Sequence, residues 1–342
     1  MIVNTQGGNM DKPNWNPGTL LGLSGQYWKT CTLHAAVKLD IFTTIGDDAM
    51  NGQTIAEKIG ADVDAVERLL NALAALGLLE KKGDTFSNVD AASRFLRKDS
   101  RAYLGYMILH HHHLVASWSK LDQAVLAGKP VRTRSSFNDE SVREAFLMGM
   151  FNNAMLQAPH LVESFDLSAC QNLLDMGGGP GTYAIHFCLQ NPQLQAVVFD
   201  LPTTKPFAEK TIAQFGLSDR ISFMAGDYVT EAMQGQYDVV WMSHILHGEG
   251  PADCQKMIQK AATMLTSGGM LLLHDFILDD TRDGPVFPTL FSMNMLLGTP
   301  EGRTYTEQEL VNMMKQAGLS DIQRKPYCGP TESGILSGIK TT

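Results

Sequence analysis

A glycine-rich turn constrains this chain more than any other feature of its sequence. A short apolar run ends at Asp175 and is followed by Gly177, Gly178, Gly179 and Gly181, after which the apolar positions suit a helix. Glycine permits positive φ angles and lets a ligand approach the backbone more closely than a Cβ would allow. The sequence therefore predicts a strand, a tight turn and a helix N-terminus that together hold a small ligand.

The spacing of these glycines differs from the dinucleotide-binding fingerprint G-x-G-x-x-G. Gly181 comes one residue too early, and Thr182 stands where the third glycine is expected. Asp200 ends the next strand-like run and is placed to accept hydrogen bonds from ribose hydroxyls, which suits a dinucleotide or an adenosyl ligand. A third run ends before Asp227, whose carboxylate could bind an adenine amino group. This order favours an adenosyl ligand over a nicotinamide cofactor.

Strands and helices alternate from about residue 167 onward. The predicted strands cover residues 172–175, 196–200, 221–224, 239–242 and 269–277, with helices ending near 189 and over 204–215 and 252–265. Alternation at these lengths predicts a parallel sheet covered by helices on both faces. Ligands of such sheets bind at the carboxyl ends of the strands, where the glycine turn, Asp200, Asp227, Ser243 and His244 all fall. We expect these residues to form one site.

This ordered set of motifs resembles class I S-adenosylmethionine (SAM) dependent O-methyltransferases, in the branch of plant caffeate-type, acetylserotonin-type and bacterial small-molecule enzymes. The resemblance spans about residues 20 to 325. It rests on the turn from Asp175 to Gly181, Phe199-Asp200-Leu201-Pro202, Gly226-Asp227, Ile245-Leu246-His247, Gly268-Gly269 and Arg303-Thr304. It implies an α/β fold, a Rossmann-like SAM domain with a doubly wound sheet, preceded by a mostly helical winged-helix dimerisation domain.

The resemblance also implies a cofactor site for SAM, with S-adenosylhomocysteine (SAH) as the product and no metal ion. The cofactor-binding residues that it implies are Asp175, Gly177, Gly179, Gly181, Asp200, Leu201, Gly226, Asp227, Tyr228 and Ser243. His247 matches the family's general base, and an unperturbed histidine pKa near ~6.5 suits proton removal at neutral pH. Asp275 is the expected orienting group for His247, with Glu301 as the second candidate.

The methyl acceptor that the resemblance implies is a planar, hydroxylated aromatic small molecule, as expected for a pocket of apolar and aromatic side chains with a few polar groups. The expected acceptor-binding residues are His112, His113, Met150, Asn152, Asn153, His244, Phe291 and Met293. The run from His110 to His113 does not predict a zinc site, because consecutive helical residues point about 100° apart. The sequence does not identify the acceptor, and transfer to nitrogen or carbon stays open.

Four positions depart from the pattern of the plant enzymes. Gly248 replaces an Asp that follows the histidine, and Asp275 replaces a Glu. Gly302 replaces a second orienting Glu, and Ser243 replaces a lysine that contacts the adenosine end of the cofactor. These departures leave open a SAM-binding member of the family that catalyses a reaction other than methylation.

The N-terminal part predicts a winged-helix pattern, with helices over residues 20–42, 54–59 and 63–76 and a hairpin over 78–87. DNA binding is the alternative function for such a pattern. The candidate recognition helix, however, carries one arginine against three acids counted from Asp62, whereas a groove-reading helix needs cations for phosphates. We expect a homodimerisation domain over 19–100, behind a loose tail (1–18) and before a helical linker to the substrate pocket (101–160) and the catalytic domain (161–342).

Net charge, hydropathy and cysteine pattern argue against several classes of partner and site. The net charge of −9 argues against a nucleic-acid partner, and no apolar run approaches the ~20 residues of a membrane span. The N-terminus lacks the order of a signal peptide, so we expect a cytoplasmic protein without a membrane partner. The five cysteines are scattered and odd in number, without a C-x-x-C pair, which predicts reduced thiols rather than disulfides or a zinc site.

Overall fold

The structure, a computed structural model, describes residues 14–132 and 140–341. The chain divides into two compact units, Met1–Arg101 and Ala102–Thr342. Most of the predicted N-terminal tail lies outside the described residues, and a helix already begins at Pro17. The helical segment predicted over 101–160 belongs to the same compact unit as the sheet that follows it.

The first unit is mostly helical. Its helices are α1 (Pro17–Ser24), α2 (Tyr27–Lys38), α3 (Ile41–Ile45), α4 (Gly52–Ile59), α5 (Val63–Ala75) and α6 (Asp90–Leu96). Its strands β1 (Met50–Asn51), β2 (Leu79–Lys82) and β3 (Thr85–Asn88) pair in the order β1-β3-β2. The single helix predicted over 20–42 was wrong, because the chain turns near Gly25 and again at Asp40, which has a positive φ of 57°.

The helix–turn–helix and hairpin arise from local signals that the sequence contains. The side chain of Asn51 caps α4 and that of Asp62 caps α5, each accepting a hydrogen bond from a backbone N–H of the first turn. Gly60 ends α4 in the left-handed conformation. Apolar residues such as Ile55 and Leu70 are fully buried between these elements. The winged-helix prediction is therefore confirmed.

The second unit contains helices packed around a large sheet. Its helices are α7 (Gly105–Trp118), α8 (Leu121–Ala127), α9 (Glu140–Met155), α10 (Ala158–Val162), α11 (Thr182–Gln190), α12 (Lys205–Gln214), α13 (Pro251–Met264), α14 (Val286–Gly298) and α15 (Glu307–Gln316). Its strands are β4 (Asn172–Met176), β5 (Gln195–Asp200), β6 (Ile221–Ala225), β7 (Tyr237–Ser243), β8 (Leu265–Leu278), β9 (Tyr305–Thr306), β10 (Leu319–Arg324) and β11 (Ser333–Lys340). Short 3-10 helices cover Pro202–Thr204 and Leu246–Gly248.

The sheet has the strand order β10-β11-β8-β7-β4-β5-β6, with β9 beside β8. Strands β4 to β8 run parallel, as the sequence predicts, but β11 is antiparallel to both β8 and β10. The parallel arrangement predicted for the strands between residues 172 and 277 is confirmed, and the additional strands β10 and β11 make the complete sheet mixed. A short connection joins β10 to β11, and antiparallel strands permit such a connection whereas parallel strands need a longer crossover. The register places Ser333 of β11 opposite Phe276 of β8.

Hydrophobic cores cover both faces of this sheet, because successive strand residues point to opposite sides. Leu174 and Leu273 pack with α13 and α15 on one face, while Leu173 and Trp241 pack with α10 and α11 on the other. Both faces of the sheet are thus occupied, and the carboxyl ends of β4 to β8 remain as the edge where a site can form.

No helix in the described part of the chain is long and apolar enough to span a bilayer.

Candidate active site

The glycine turn between β4 and α11 leaves its backbone open on one side. Gly177, Gly179 and Gly181 have φ angles of +70°, +54° and +80°, a left-handed region that favours glycine. A Cβ at Gly177 would lie 2.6 Å from the side chain of Ile245, whereas a Cβ at Gly179 would meet nothing within 4 Å. The open face at Gly179 therefore lets a ligand reach the backbone at the N-terminus of α11.

Asp175 lies beneath this turn rather than on its open face. Its carboxyl group is fully buried, and Oδ2 accepts a hydrogen bond of 3.2 Å from the Ala184 N–H of α11. A Cβ at Gly178 would come within 2.5 Å of the carboxyl carbon. Burial raises the pKa of Asp175 to about 7. Asp175 thus supports the turn from below.

Asp200 joins the glycine turn to the end of β5. Its Oδ2 accepts a hydrogen bond of 2.8 Å from the Gly179 N–H, and its Oδ1 accepts from the Leu201 N–H at 2.6 Å and the Thr204 hydroxyl at 3.1 Å. Its backbone carbonyl accepts a bond of 2.9 Å from the Gly226 N–H at the end of β6. Burial raises the pKa of Asp200, although these hydrogen bonds act against the shift. Asp200 therefore connects the ends of β4, β5 and β6 through its side chain and its backbone carbonyl.

The loop after β6 brings Asp227 and Tyr228 to the same edge. The Asp227 carboxylate accepts hydrogen bonds from the Val229 N–H at 2.8 Å and the Thr230 hydroxyl at 2.9 Å. The Tyr228 ring lies so near the glycine turn that a Cβ at Gly177 would be 3.4 Å from it. The structure therefore places the loop beside the turn, as the motif order predicts.

Lys260 of α13 fixes this loop from outside. Its ammonium group donates hydrogen bonds to the backbone carbonyls of Tyr228 at 3.2 Å, Val229 at 2.6 Å and Glu231 at 2.8 Å. Three donors on one lysine match three carbonyl groups that point the same way. Lys260 therefore helps to hold Asp227 and Tyr228 at the strand ends, a role that nothing in the local sequence indicates.

His247, in the short 3-10 helix after β7, and Asp275, near the end of β8, form a hydrogen-bonded pair. His247 Nδ1 lies 2.6 Å from Asp275 Oδ1, and 13% of the His247 side chain and 5% of the Asp275 side chain are exposed. Asp275 Oδ1 also accepts a bond of 2.8 Å from the Phe276 N–H, while Oδ2 accepts from the Leu246 N–H at 3.2 Å. The carboxylate is thus buried, saturated with donors and aimed at one imidazole.

The protonation of this pair follows from the environment of Asp275. Burial by itself would raise the pKa of Asp275, but attraction to His247 and the hydrogen bonds that it accepts outweigh burial and hold its pKa below the usual value. An ionised carboxylate can only accept hydrogen bonds, so the proton between the two groups belongs to Nδ1 of His247. In the neutral imidazole, Nε2 then carries the lone pair, which is the form that a general base requires.

Glu301, the second candidate for orienting His247, lies elsewhere. It is exposed and extends over Gly250, where a Cβ would collide with its carboxylate. Gly302 lies against the backbone that carries the histidine, since a Cβ there would come within 2.7 Å of the His247 carbonyl oxygen and 2.8 Å of that of Gly248. An acid has no space at position 302, and Asp275 alone occupies Nδ1 of His247 within the described residues.

Ser243 and His244 end β7 next to this pair. Ser243 Oγ lies 2.9 Å from His244 Nδ1 and 3.0 Å from His274 Nδ1, so its hydroxyl is engaged with two imidazoles. The ring centroids of His244 and His247 are 6.2 Å apart. Burial lowers the pKa of His244 to about 4, which keeps its imidazole neutral at neutral pH.

Aromatic side chains from β8 and α14 form one wall of the site. The Phe276 ring stacks on His247 at 5.5 Å, and the Phe291 ring meets His247 edge-on at 4.8 Å. Phe287 packs against Phe276 at 5.1 Å. Met293, on the same helix as Phe291, is half-buried. The wall suits a flat apolar ligand beside the imidazole.

The remaining predicted acceptor residues lie on α7 and α9, which pack against each other, while α7 also packs against α14. The two helices approach so closely that a Cβ at Gly149 would be 3.1 Å from the Met107 Cα. His112 on α7 is half-buried and His113 is exposed, whereas Met150, Asn152 and Asn153 on α9 are half-buried.

His110, on the same helix α7, is half-buried, and the sequence does not single it out. Its ring lies 5.3 Å from Phe146 of α9. Burial lowers the pKa of His110 to about 3, and positive charge on neighbouring groups adds to the shift. His110 is therefore a neutral imidazole packed between the helices.

Sequence reasoning also missed residues that only the sheet register brings together. His274 is fully buried, and its Nε2 lies 2.9 Å from Ser333 Oγ of β11. Phe276 follows Asp275 in an apolar run whose side chains cannot be assigned to the site from spacing alone. A histidine directly before the orienting acid was the one signal present in the sequence.

Comparison with known proteins identifies the family of the two domains. A model of the O-methyltransferase domain matches residues 118–320, and a model of the O-methyltransferase dimerisation domain matches residues 21–98. The chain is 32% identical over 330 residues to a 3-hydroxy-5-methyl-1-naphthoate 3-O-methyltransferase of Streptomyces sahachiroi, with 95% of each chain covered. It is 32% identical over 328 residues to the tetracenomycin polyketide synthesis 8-O-methyl transferase TcmO of Streptomyces glaucescens, covering 93% of this chain and 96% of that protein.

Solved structures agree as well. An O-methyltransferase family protein from Burkholderia thailandensis is 27% identical and superposes with a TM-score of 0.87, covering 96% of this chain and 99% of that one. The match of the N-terminal unit to a dimerisation domain removes the case for a DNA-binding regulator. The two family models together cover most of the sequence. The chain therefore belongs to the family of SAM-dependent O-methyltransferases.

Proposed function

We propose that this enzyme methylates a phenolic hydroxyl of a planar aromatic small molecule, with His247 as general base and Asp275 as its orienting group. The observation that carries the proposal is the 2.6 Å contact between His247 Nδ1 and Asp275 Oδ1 beside an aromatic wall. The names of two relatives support an oxygen acceptor on such a molecule, since one is a 3-O-methyltransferase of a hydroxynaphthoate and the other an 8-O-methyl transferase of polyketide synthesis.

The residues at the strand ends fit the cofactor. Gly179 presents open backbone, and the carboxylates of Asp200 and Asp227 stand where ribose hydroxyls and an adenine amino group can be bound. We assign the cofactor contacts to these residues together with Leu201, Gly226 and the glycines of the turn. SAM supplies, when bound, a methyl group on a positively charged sulfur.

The protein's own residues then manage the acceptor and its proton. Nε2 of His247 accepts the proton of the phenol, and the charge that appears on the imidazole is stabilised by the Asp275 carboxylate at Nδ1. The rings of Phe276 and Phe291 orient a flat acceptor and exclude water from the reacting oxygen. This division of labour requires no metal ion.

The functional assembly that we propose is a homodimer formed through the N-terminal unit. Helices α1 and α2 expose large apolar side chains, including Leu21 at 72% and Trp28 at 68%. An apolar patch of this kind on a soluble domain marks an interaction surface. The match to a dimerisation domain supports a second copy as the partner.

Calorimetric titration tests the cofactor site directly. We expect the wild-type protein to bind SAH with micromolar affinity and Asp200→Ala to lose at least about tenfold, because the variant loses a carboxylate that can pair with ribose. Asp219→Ala, which removes an exposed carboxylate next to the amino end of β6, at the opposite edge of the sheet, is the control. Failure of the folded wild type to bind SAH would contradict the proposed function.

Metal removal tests the metal-free mechanism. Within residues 14–132 and 140–341, no three His, Cys, Asp or Glu side chains are grouped as a metal ion would require. We expect the rate of methyl transfer to be unchanged after dialysis against EDTA, since His247 and Asp275 provide the base. A loss of turnover that magnesium restores would contradict this mechanism.

A further inference from the structure

A chain of hydrogen bonds connects the C-terminal strand to the histidine beside the general base. Ser333 Oγ lies 2.9 Å from His274 Nε2, His274 Nδ1 lies 3.0 Å from Ser243 Oγ, and Ser243 Oγ lies 2.9 Å from His244 Nδ1. We name these four residues the serine–histidine chain. It ends at His244 Nε2, a buried nitrogen that has no hydrogen-bond partner among the described residues.

The backbone of His244 is also unusual. Its φ angle is +57°, a left-handed conformation that a histidine seldom adopts. The His244 N–H donates a 2.8 Å bond to the His274 carbonyl, and the imidazole packs 4.6 Å from the Phe276 ring. Strained residues and buried unpaired polar atoms both concentrate at functional sites. Here both occur on one residue, 6.2 Å from the ring of His247.

The serine–histidine chain admits two proton arrangements that use every bond once. In the first, the Ser333 hydroxyl donates to His274, His274 Nδ1–H donates to Ser243, and the Ser243 hydroxyl donates to His244 Nδ1, so that His244 Nε2 carries a hydrogen. In the second, every bond is reversed and His244 Nε2 carries a lone pair. Both arrangements keep each imidazole neutral with one N–H.

The environment supports neutral imidazoles. Burial lowers the pKa of His244 to about 4, and burial lowers the pKa of His274 well below its ordinary value, with His244 and Arg324 adding to the shift. A neutral imidazole is a selective group, because it offers either a donor or an acceptor at Nε2 but no net charge. His247 is not part of the serine–histidine chain, because its Nδ1 pairs with the Asp275 carboxylate.

We propose that His244 Nε2 binds a second oxygen of the methyl acceptor, adjacent to the hydroxyl that His247 deprotonates. The inference rests on the proposed function and specifies its substrate class: aromatic molecules in which the methylated hydroxyl is flanked by another hydroxyl, an alkoxy group or a carbonyl. The two imidazole centres are 6.2 Å apart, a separation within the dimensions of one aromatic acceptor. Because the serine–histidine chain can reverse, a flanking donor and a flanking acceptor are both accommodated.

Binding of acceptor probes to the enzyme–SAH complex tests this inference without turnover. The probes are 2,3-dihydroxynaphthalene, 3-methoxy-2-naphthol and 3-methyl-2-naphthol, which place a hydroxyl, an ether oxygen or an apolar methyl group beside the same phenol. We expect wild type to bind the first two about tenfold more tightly than the third, as one buried hydrogen bond provides. In His244→Phe all three should bind alike, and His244→Gln, whose amide both donates and accepts, should restore part of the preference.

Two results would overturn the inference: equal binding of the three probes by wild type, or an undiminished preference in a His244→Phe variant that folds and binds SAH normally. If the phenylalanine variant does not fold, His244→Leu provides the same comparison. Wild type that does not bind SAH contradicts the proposed function itself. Wild type that binds SAH but none of the naphthols contradicts the aromatic acceptor and this inference with it.

Discussion

Replacing His247 by alanine is expected to lower kcat for methyl transfer by about 10²- to 10⁴-fold, the range that a positioned general base contributes. The reason is the pairing with Asp275, which holds the proton on Nδ1 and leaves Nε2 free to accept one. The affinity for SAH should change little, because Asp200 bonds to the glycine turn whereas His247 pairs with Asp275. Steady-state kinetics and SAH titration on the same preparations measure both quantities.

The pH dependence of this variant separates a lost base from a distorted site. Without His247, only acceptor that is already ionised can react, and an ordinary phenol has a pKa of about 10, as tyrosine does. The rate of His247→Ala should therefore rise with pH toward that of wild type. His247→Asn is the matched control, since its amide nitrogen is attached to Cγ as Nδ1 is, so that it can still donate to Asp275 but cannot act as a base. Near wild-type kcat in either variant would contradict the assignment of His247 as the general base. His244 would then be the next candidate for the base.

The parts of the fold that the sequence predicts correctly are those encoded by local patterns. The order of β4 to β8 follows from apolar runs alternating with helices, and the caps at Asn51 and Asp62 are visible as residue types. Strands β10 and β11 were missed because Ser320, Asp321 and Gln323 give β10 a polar composition, and because pairing direction depends on the connection rather than on the strand itself. Long-range pairing has no local signature.

The site shows the same division. Residues that end a strand, such as Asp200, or follow one closely, such as His247, could be located because the end of each strand is visible in the sequence. The choice between Asp275 and Glu301 depended on which side chain reaches Nδ1, and distance along the chain carries no information about that. The sequence offers no reason why Gly302 replaces the Glu of the plant enzymes. The structure does, because a side chain at this position would collide with the His247 carbonyl oxygen.

The contribution of His274 could not be found for a related reason. Its two partners, Ser243 and Ser333, are separated from it by 31 and 59 residues, and they meet it only because β8 lies between β7 and β11. A histidine in an apolar strand is ordinarily read as part of the core. The register of an antiparallel strand that the sequence did not predict turns it into the centre of a hydrogen-bond chain.

Asp275→Asn is expected to reduce kcat by about 10²-fold or more, because the amide cannot satisfy the donors that the carboxylate accepts. Asp275 Oδ1 faces His247 Nδ1 and the Phe276 N–H, while Oδ2 faces the N–H groups of Leu246 and His247. If the NH₂ group turns toward His247, it donates to Nδ1 and moves the histidine proton to Nε2, which removes the base. If it turns the other way, it confronts two backbone N–H groups and destabilises the loop that carries His247.

The two orientations of the amide have different signatures, which makes the experiment informative in detail. The first removes the base and leaves one backbone N–H, that of Phe276, without its acceptor, whereas the second leaves two such groups and should lower the melting temperature more. Each buried unsatisfied donor costs about 1–3 kcal/mol. Asp275→Glu is the control, because it keeps the charge at the cost of a longer side chain and should retain more activity than the asparagine variant. Wild-type kcat in a folded Asp275→Asn protein would show that the orientation and tautomer of His247 do not depend on this carboxylate, and the base would then have to be held in place by the packing of Phe276 and Phe291 alone.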